Sequence, residues 1–253
     1  MHDIIANLPH ADVFGLRFFA GERDELIHAL CTHLTLPKSH LLTIVTPNPE
    51  QVVQQEANPA FRQALLAADL KIPDGTGIVW ASQWLARQND KVVIAERVTG
   101  VDVIGDLLDE PALKKTRMMI IGGRGYDQKI SQLGKNIVWS EAYQNAAAPT
   151  ELEEKKVIAQ LQKEKPEIVF VAFGAPAQEL WLVEHRQLLE KVGVKIAMAC
   201  GGAFDFLLGI LPRAPKWIQQ LHLEWLFRLI LEPWRIKRQL RLFYFLKITL
   251  SQR

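Results

Sequence analysis

A chain of 253 residues, 49% hydrophobic and 23% charged, is long enough for one large domain with a sizeable core, or for one domain plus an appendage, and its composition excludes a disordered or fibrous protein. Only two cysteines, Cys31 and Cys200, are present, which excludes a disulfide framework and fits a reducing compartment. The net charge of +2 hides an asymmetry, because Leu211 to Arg253 carries nine bases against two acids. A basic tail on an acidic body suits an anionic partner such as phospholipid, a diphosphate or nucleic acid. Met1 to Pro9 holds acid and polar residues where an export signal needs an unbroken apolar run, so the chain is expected to stay in the cytoplasm.

Val13 to Phe19 predicts a short strand, and Glu22 to Leu34 an amphipathic helix with Leu26, Ile27, Leu30 and Cys31 inward. Leu41 to Val45 is an apolar strand ending at Thr46-Pro47-Asn48-Pro49-Glu50. There Asn48 suits an N-cap and Pro49 the first position of a helix running to about Leu66. Leu70 and Ile72 end a second buried strand, Pro73 stops its ladder, and Ile78, Val79, Ala81, Trp84 and Leu85 restart with helical spacing. Asp74 therefore lies on a strand-to-helix turn, of the kind that forms the ligand crevice in open α/β sheets. Gly75 and Gly77 are expected to keep the floor of that turn free of side chains for a substrate. Two readings of Asp74 stand at this point: a general base acting on a sugar hydroxyl, or, with Thr76, a cap for the following helix.

The pattern continues with an apolar segment, Val92 to Ile94, before Glu96-Arg97-Val98-Thr99-Gly100-Val101-Asp102, and a helix is predicted to begin near Val101. Arg97 either pairs with Asp102 or Glu96, or faces an anionic substrate. Further strands are predicted at Met118 to Ile121, ending in Gly122-Gly123-Arg124-Gly125, and at Ile137 to Trp139. After a polar helix from Pro149 to about Lys163, Ile168 to Phe173 and Val194 to Ala199 read as strands covered on both faces. Strands alternating with helices predict one mainly parallel α/β sheet with helices on both faces. Short connections place no boundary before about Gly209. Residues 1–209 thus form the expected core and 210–253 a helical C-terminal appendage, with helical stretches at Lys216 to Leu231 and Trp234 to Leu250 punctuated by Pro233. Trp217, Leu221, Trp225, Phe227, Leu229 and Trp234 alternate there with bases. No run of 18 uncharged apolar residues occurs, so the appendage is expected to lie on a bilayer or to pack on the core.

Gly123-Arg124-Gly125, with Glu141 after the next strand, invites a dinucleotide-binding reading, but Gln128 holds the third glycine position. A tight bend lining the crevice is the preferred reading. The histidines are scattered and no Asp-x-Asp pair occurs, so no metal is expected; a leaving diphosphate would be neutralised by Arg, Lys or helix N-termini. No Gly-x-Ser-x-Gly elbow supports serine hydrolase chemistry. Glu179 reads as a first-turn acid that favours the helix dipole, and Gln178 as a donor for sugar hydroxyls or a nucleotide. Arg228, Arg235 and Arg238 share one helical face if a helix runs through Pro233; an ordinary solvated basic face is the alternative.

Taken together, Thr46-Pro47-Asn48-Pro49-Glu50, Pro73-Asp74-Gly75-Thr76-Gly77, Glu96-Arg97-Val98-Thr99-Gly100, Phe173-Gly174-Ala175-Pro176-Ala177-Gln178-Glu179, Gly201-Gly202-Ala203-Phe204-Asp205, Arg213-Ala214-Pro215, Leu223 to Leu229 and Glu232-Pro233-Trp234-Arg235 resemble the WecG/TagA/CpsF family of bacterial cell-envelope glycosyltransferases, glycosyltransferase family 26. The resemblance spans about Val13 to Arg238. It implies a Rossmann-like core and an inverting, metal-independent transferase without a cofactor. Such an enzyme moves a hexosyl unit, often N-acetylmannosamine or its uronic acid, from a UDP-sugar to an undecaprenyl-diphosphate-linked sugar at the inner face of the cytoplasmic membrane. By motif position, Asp74 is the implied base, Thr46 and Gln178 are active-site polar groups, and Arg228, Arg235 and Arg238 complete the site from the appendage. Asn48, Arg97, Gly122, Gly123, Ala175, Gly201 and Gly202 make up the rest of the expected substrate-binding set. Ala177 departs from the family, whose members often carry Lys there, and so do the three alanines from Ala146 to Ala148. Two competing readings are an NAD-dependent oxidoreductase and a non-catalytic membrane-surface module that binds nucleotide-sugars. No nucleic-acid partner is expected, and the exposed appendage suits a homo-oligomer.

Overall fold

A hairpin opens the fold: β1 (His10–Val13) and β2 (Leu16–Phe19) pair antiparallel. Between them Phe14 (φ 54°) and Gly15 (φ 73°) both lie in the left-handed region, the backbone of a two-residue turn matched to strand twist. The single strand expected over Val13 to Phe19 is therefore two, reversing at Phe14-Gly15. This architecture comes from a computed structural model, which describes residues 4–37, 39–86, 92–221, 223–233 and 236–251, without the side chains of 237–239.

The main sheet contains β3 (Leu42–Val45), β4 (Leu70–Lys71), β5 (Met118–Gly122), β6 (Ile137–Ser140), β7 (Ile168–Ala172) and β8 (Ile196–Ala199), in the spatial order β4-β3-β8-β7-β5-β6. Every pairing in it is parallel. Strands β3, β5 and β8 are buried at every position, as a sheet covered on both faces requires. Helices α2 (Pro49–Ala57), α3 (Pro59–Ala67), α6 (Glu151–Glu164), α7 (Ala177–Glu184) and α8 (Arg186–Val192) bury Val52, Phe61, Leu65, Val157, Leu161, Trp181 and Leu189 on one face. On the other, α1 (Arg23–Thr35), α5 (Gly100–Asp109) and α9 (Ala203–Leu207) bury Leu26, Leu30, Val103, Ile104, Leu107 and Phe204.

Three expectations need correction. The helix from Asn48 to Leu66 is broken at Asn58, whose side chain accepts a hydrogen bond from Phe61 N. Pro59 has no N–H to continue the first helix and instead starts the second. Val92 to Ile94 forms no strand: Ile94 N donates to Ser82 Oγ and Ala95 N to Ala20 O, so side-chain and loop acceptors replace a ladder. The stretch from Lys216 to Leu231 is two helices, α10 (Lys216–Gln220) and α11 (Glu224–Leu231).

The last helix, α12 (Ile236–Ser251), returns to the body. Phe245 is 2% exposed and shares a buried cluster with Phe14, Ile78 and Ala81, the last two on α4 (Thr76–Ala86). Its ring centroid is 5.3 Å from that of Phe14, and Arg241 Nη1 pairs with Glu50 Oε1 at 3.0 Å. Gly77 lets this corner close, since a Cβ there would fall 2.6 Å from Pro49 Cγ and 3.4 Å from Phe245. Gly77→Val should cost roughly 1–3 kcal/mol in overpacking, more than the few tenths that Val gains over Gly in a helix. Urea unfolding checks it; a variant as stable as the parent would show that Pro49 has room to move.

Candidate active site

At the carboxyl ends of adjacent strands β3 and β8, the chain leaves toward opposite faces, through α2 on one side and α9 on the other. That divergence opens a crevice at the sheet's rim. The turn after β4 joins it: Asp74 N donates to Pro47 O at 3.3 Å, tying the turn that carries the acid to the turn after β3. Gly75 (φ 118°) is required by its backbone. Its missing Cβ and that of Gly77 make room for Pro49, at 3.1 Å and 2.6 Å. Pro49 thus packs against this turn, while Gly75 and Gly77 themselves line the same cavity as Asp74.

That cavity, of about 510 Å³, lies beside α11 and α12. Its lining combines polar side chains, Asn48, Thr76, Arg97, Arg213, Glu224 and Arg228, with apolar ones, Trp80, Phe206, Trp225, Leu242, Phe245 and Leu246. Among the described residues the Asp74 carboxylate accepts no hydrogen bond, so the helix-capping reading is not realised. Burial pushes its pKa up to about 6, against the pull of Arg97 and Arg228 and with the push of Glu224 and Asp102. Desolvation thus outweighs the nearby cations, leaving a carboxylate more basic than usual.

Arg97 pairs with neither Asp102 nor Glu96. Its guanidinium donates to Glu224 Oε2 at 2.5 Å, across 127 residues of chain. Glu224 Oε1 also accepts from Arg213 Nε at 3.3 Å, and Arg213 Nη1 donates to Asp102 Oδ1 at 2.7 Å. Burial opposes ionisation of Asp102, yet hydrogen bonds from Arg213 and Thr99 hold its carboxyl below the usual range. Glu96, for its part, accepts from Arg23 N. Arg228 donates to Glu232 at 2.8 Å, lies 4.9 Å above the Phe206 ring, and passes so close to Gly202 that a Cβ there would sit 3.1 Å from it. Arg213 and Glu224 received no role from the sequence, although Glu224 is one of two acids in a basic tail.

Asp74, Asn48, Arg97 and Arg228 thus share one cavity, whereas Thr46, Gln178, Gly122, Gly123, Ala175, Gly201 and Gly202 are not among the described residues lining it. Thr46 is buried at the end of β3, where a Cβ on Gly100 would lie 3.3 Å from its methyl group. Gln178, 2% exposed, accepts from Gly174 N and Gly201 N and donates to Glu179, so its amide is occupied by the protein itself. Gly122 (φ 91°) and Gly123 (φ 75°) form the expected tight bend. The Tyr126 ring already fills the space beside Gly123, 2.2 Å from where a Cβ would be, and Phe173 fills that beside Gly122. The close approach that these glycines allow is taken up by the protein's own rings. Arg235 and the side chain of Arg238 lie outside the described residues. Among the described residues no group of three or more His, Cys, Asp or Glu side chains is placed to hold a metal.

The chain matches the family described as "Glycosyl transferase WecG/TagA/CpsF family" over residues 11–253. It is 32% identical, over 206 residues, to the N-acetylglucosaminyldiphosphoundecaprenol N-acetyl-beta-D-mannosaminyltransferase of Bacillus subtilis (strain 168), an alignment covering 78% of this chain and 74% of that protein. A protein of the same name from Staphylococcus aureus (strain MRSA252) is 26% identical over 238 residues, covering 92% and 89% of the two chains.

Proposed function

Because this chain belongs to the WecG/TagA/CpsF glycosyltransferase family and is a transferase of cell-envelope polymer synthesis, we propose that it moves an N-acetylmannosaminyl unit from a UDP-sugar to undecaprenyl-diphosphate-linked N-acetylglucosamine. The observation carrying this reading is the Asp74 carboxylate, without a hydrogen bond among the described residues, facing a cavity that also holds Arg97, Arg213 and Arg228. In the reaction, Asp74 takes the proton of the acceptor hydroxyl as that oxygen attacks the anomeric carbon from the side opposite UDP, inverting the centre. Negative charge then develops on the departing diphosphate. Guanidinium groups stabilise it in a site partly closed from water, which supports metal-independent chemistry. Thr46, Gln178, Arg235 and Arg238 are assigned to this machinery by their motif positions alone.

The acceptor's lipid calls for a membrane surface. No helix among the described residues is long and apolar enough to cross a bilayer, but α10 to α12 expose Trp217 (60%), Ile230 (69%) and Phe243 (72%). Exposed apolar side chains interleaved with bases suit the headgroup layer of the inner leaflet. Incubating the protein with UDP-N-acetylmannosamine and a short-chain polyprenyl-diphosphate N-acetylglucosamine should give an acceptor heavier by one N-acetylhexosamine in mass spectrometry. No product across a panel of UDP-hexoses would sink the proposal. Co-sedimentation with anionic vesicles, weakened in Phe243→Ser, tests the surface; self-association without vesicle binding would assign it to a second copy.

A further inference from the structure

Glu179 sits at the first turn of α7 and is 1% exposed, far more enclosed than a residue serving only the helix dipole needs to be. Its Oε1 accepts from Gln51 Nε2 at 3.1 Å and from Gln178 Nε2 at 2.9 Å. Gln51 in turn accepts from Asn48 N at 3.0 Å, and Gln178 accepts from Gly174 N at 3.1 Å and Gly201 N at 2.9 Å. One carboxyl group thereby joins the turns after β3, β7 and β8. The first arm ends at Pro47-Asn48, whose carbonyl holds Asp74 N. The other ends at Gly201-Gly202, beside which Arg228 passes.

Building on the transferase reading, we propose that Glu179 is a positioning residue that sets the separation between the base Asp74 and the cation Arg228 without touching substrate. It does so as a neutral acid. Oε2 is buried with no hydrogen-bond partner, and leaving a charged oxygen bare in such a place costs far more than leaving a hydroxyl there. Burial pushes its pKa up to about 7, although hydrogen bonds from Gln178, its own N–H and Gln51 pull the other way. The ionisable group that interacts with it is Cys200, just after β8, whose thiol is itself pushed up by burial, and among the described residues no cation contributes to the balance at Glu179.

The test pairs Glu179→Ala with Glu179→Gln, which keeps shape and neutrality. In Glu179→Ala, peptides covering residues 46–52, 172–179 and 199–203 should exchange amide hydrogen faster, and kcat/KM should fall by up to about 10²-fold, the penalty for a site misplaced by an ångström. Glu179→Gln should keep the protection, transfer within a few-fold of the parent, and lack the parent's loss of activity above about pH 7. An unchanged Glu179→Ala overturns the proposal, and so does a Glu179→Gln as impaired as the alanine variant. Hydrogen exchange and UDP titration decide the matter even if no sugar is transferred, which separates this failure from failure of the functional reading. Should Glu179→Ala not fold, Gln51→Leu cuts the first arm alone. It should loosen 46–52 and leave 199–203 protected; any other pattern also overturns the hub.

Discussion

Asp74→Asn is expected to lower kcat by about 10²- to 10⁴-fold, the range that general-base assistance supplies, while UDP binding by calorimetry stays within a few-fold. The substitution removes the proton acceptor and keeps the size of the side chain, so the cavity and its arginines persist. In the parent, activity should rise with pH as Asp74 ionises, with the half-point of kcat/KM at about 6, and fall away below it. A bound diphosphate adds negative charge beside the carboxylate, so the half-point of kcat should lie higher than that of kcat/KM. The same burial makes a stability prediction of opposite sense. A carboxyl group whose folded pKa is raised contributes stability that is present below its unfolded pKa and lost as pH rises through about 6. Asp74→Asn should therefore unfold at a higher temperature than the parent at neutral pH. Near-parental turnover, or a Tm gain without loss of turnover, would remove Asp74 from the chemistry.

The parts of this molecule legible in the sequence are those set by local pattern. Continuous apolar runs at Ile168–Ala172 and Ile196–Ala199 become doubly covered parallel strands, and the Pro73 stop followed by helical spacing places Asp74 on a rim turn. The misreadings have two causes, a partner distant in sequence and a cap passed over in favour of periodicity. Asn58-Pro59, which caps and starts α3, lies inside the single helix read to about Leu66. Val92 to Ile94 has strand composition, but its backbone binds Ser82 and Ala20, which no local window contains. Arg97 offered nearby acids and took Glu224 from the appendage. Gly75 and Gly77 were rightly tied to close approach, yet what approaches is Pro49. The position of a turn at the sheet's rim was legible from local residues; pairing was not, because it depends on how the chain returns.

Phe245→Ala should destabilise the whole core by about 3–5 kcal/mol, the usual cost of removing a buried Phe side chain, and not merely loosen a peripheral helix. Its ring is buried against Phe14 of the hairpin turn and beside Gly77 of α4. The Arg241–Glu50 pair at the same seam has an arginine side chain 43% exposed and contributes at most about 1 kcal/mol, so the apolar contact decides the docking. Truncation after Gly209 would then both remove Arg213 and Arg228 from the cavity and uncover Phe14, Ile78 and Ala81. It should yield a less stable body as well as an inactive one, in contrast to a soluble core indifferent to its tail. Urea unfolding of Phe14→Ala, Phe245→Ala and the double variant provides the check. The double variant should lose less than the sum of the two single losses, because each single variant already breaks the shared contact. Strict additivity, or a loss below 1 kcal/mol for Phe245→Ala, would show that α12 rests on the body without belonging to its cooperative core. Transfer activity measured on the same variants links this seam to the site: Phe245 lines the cavity next to Trp80 and Leu246, so a loosened α12 should raise KM for the acceptor before stability fails.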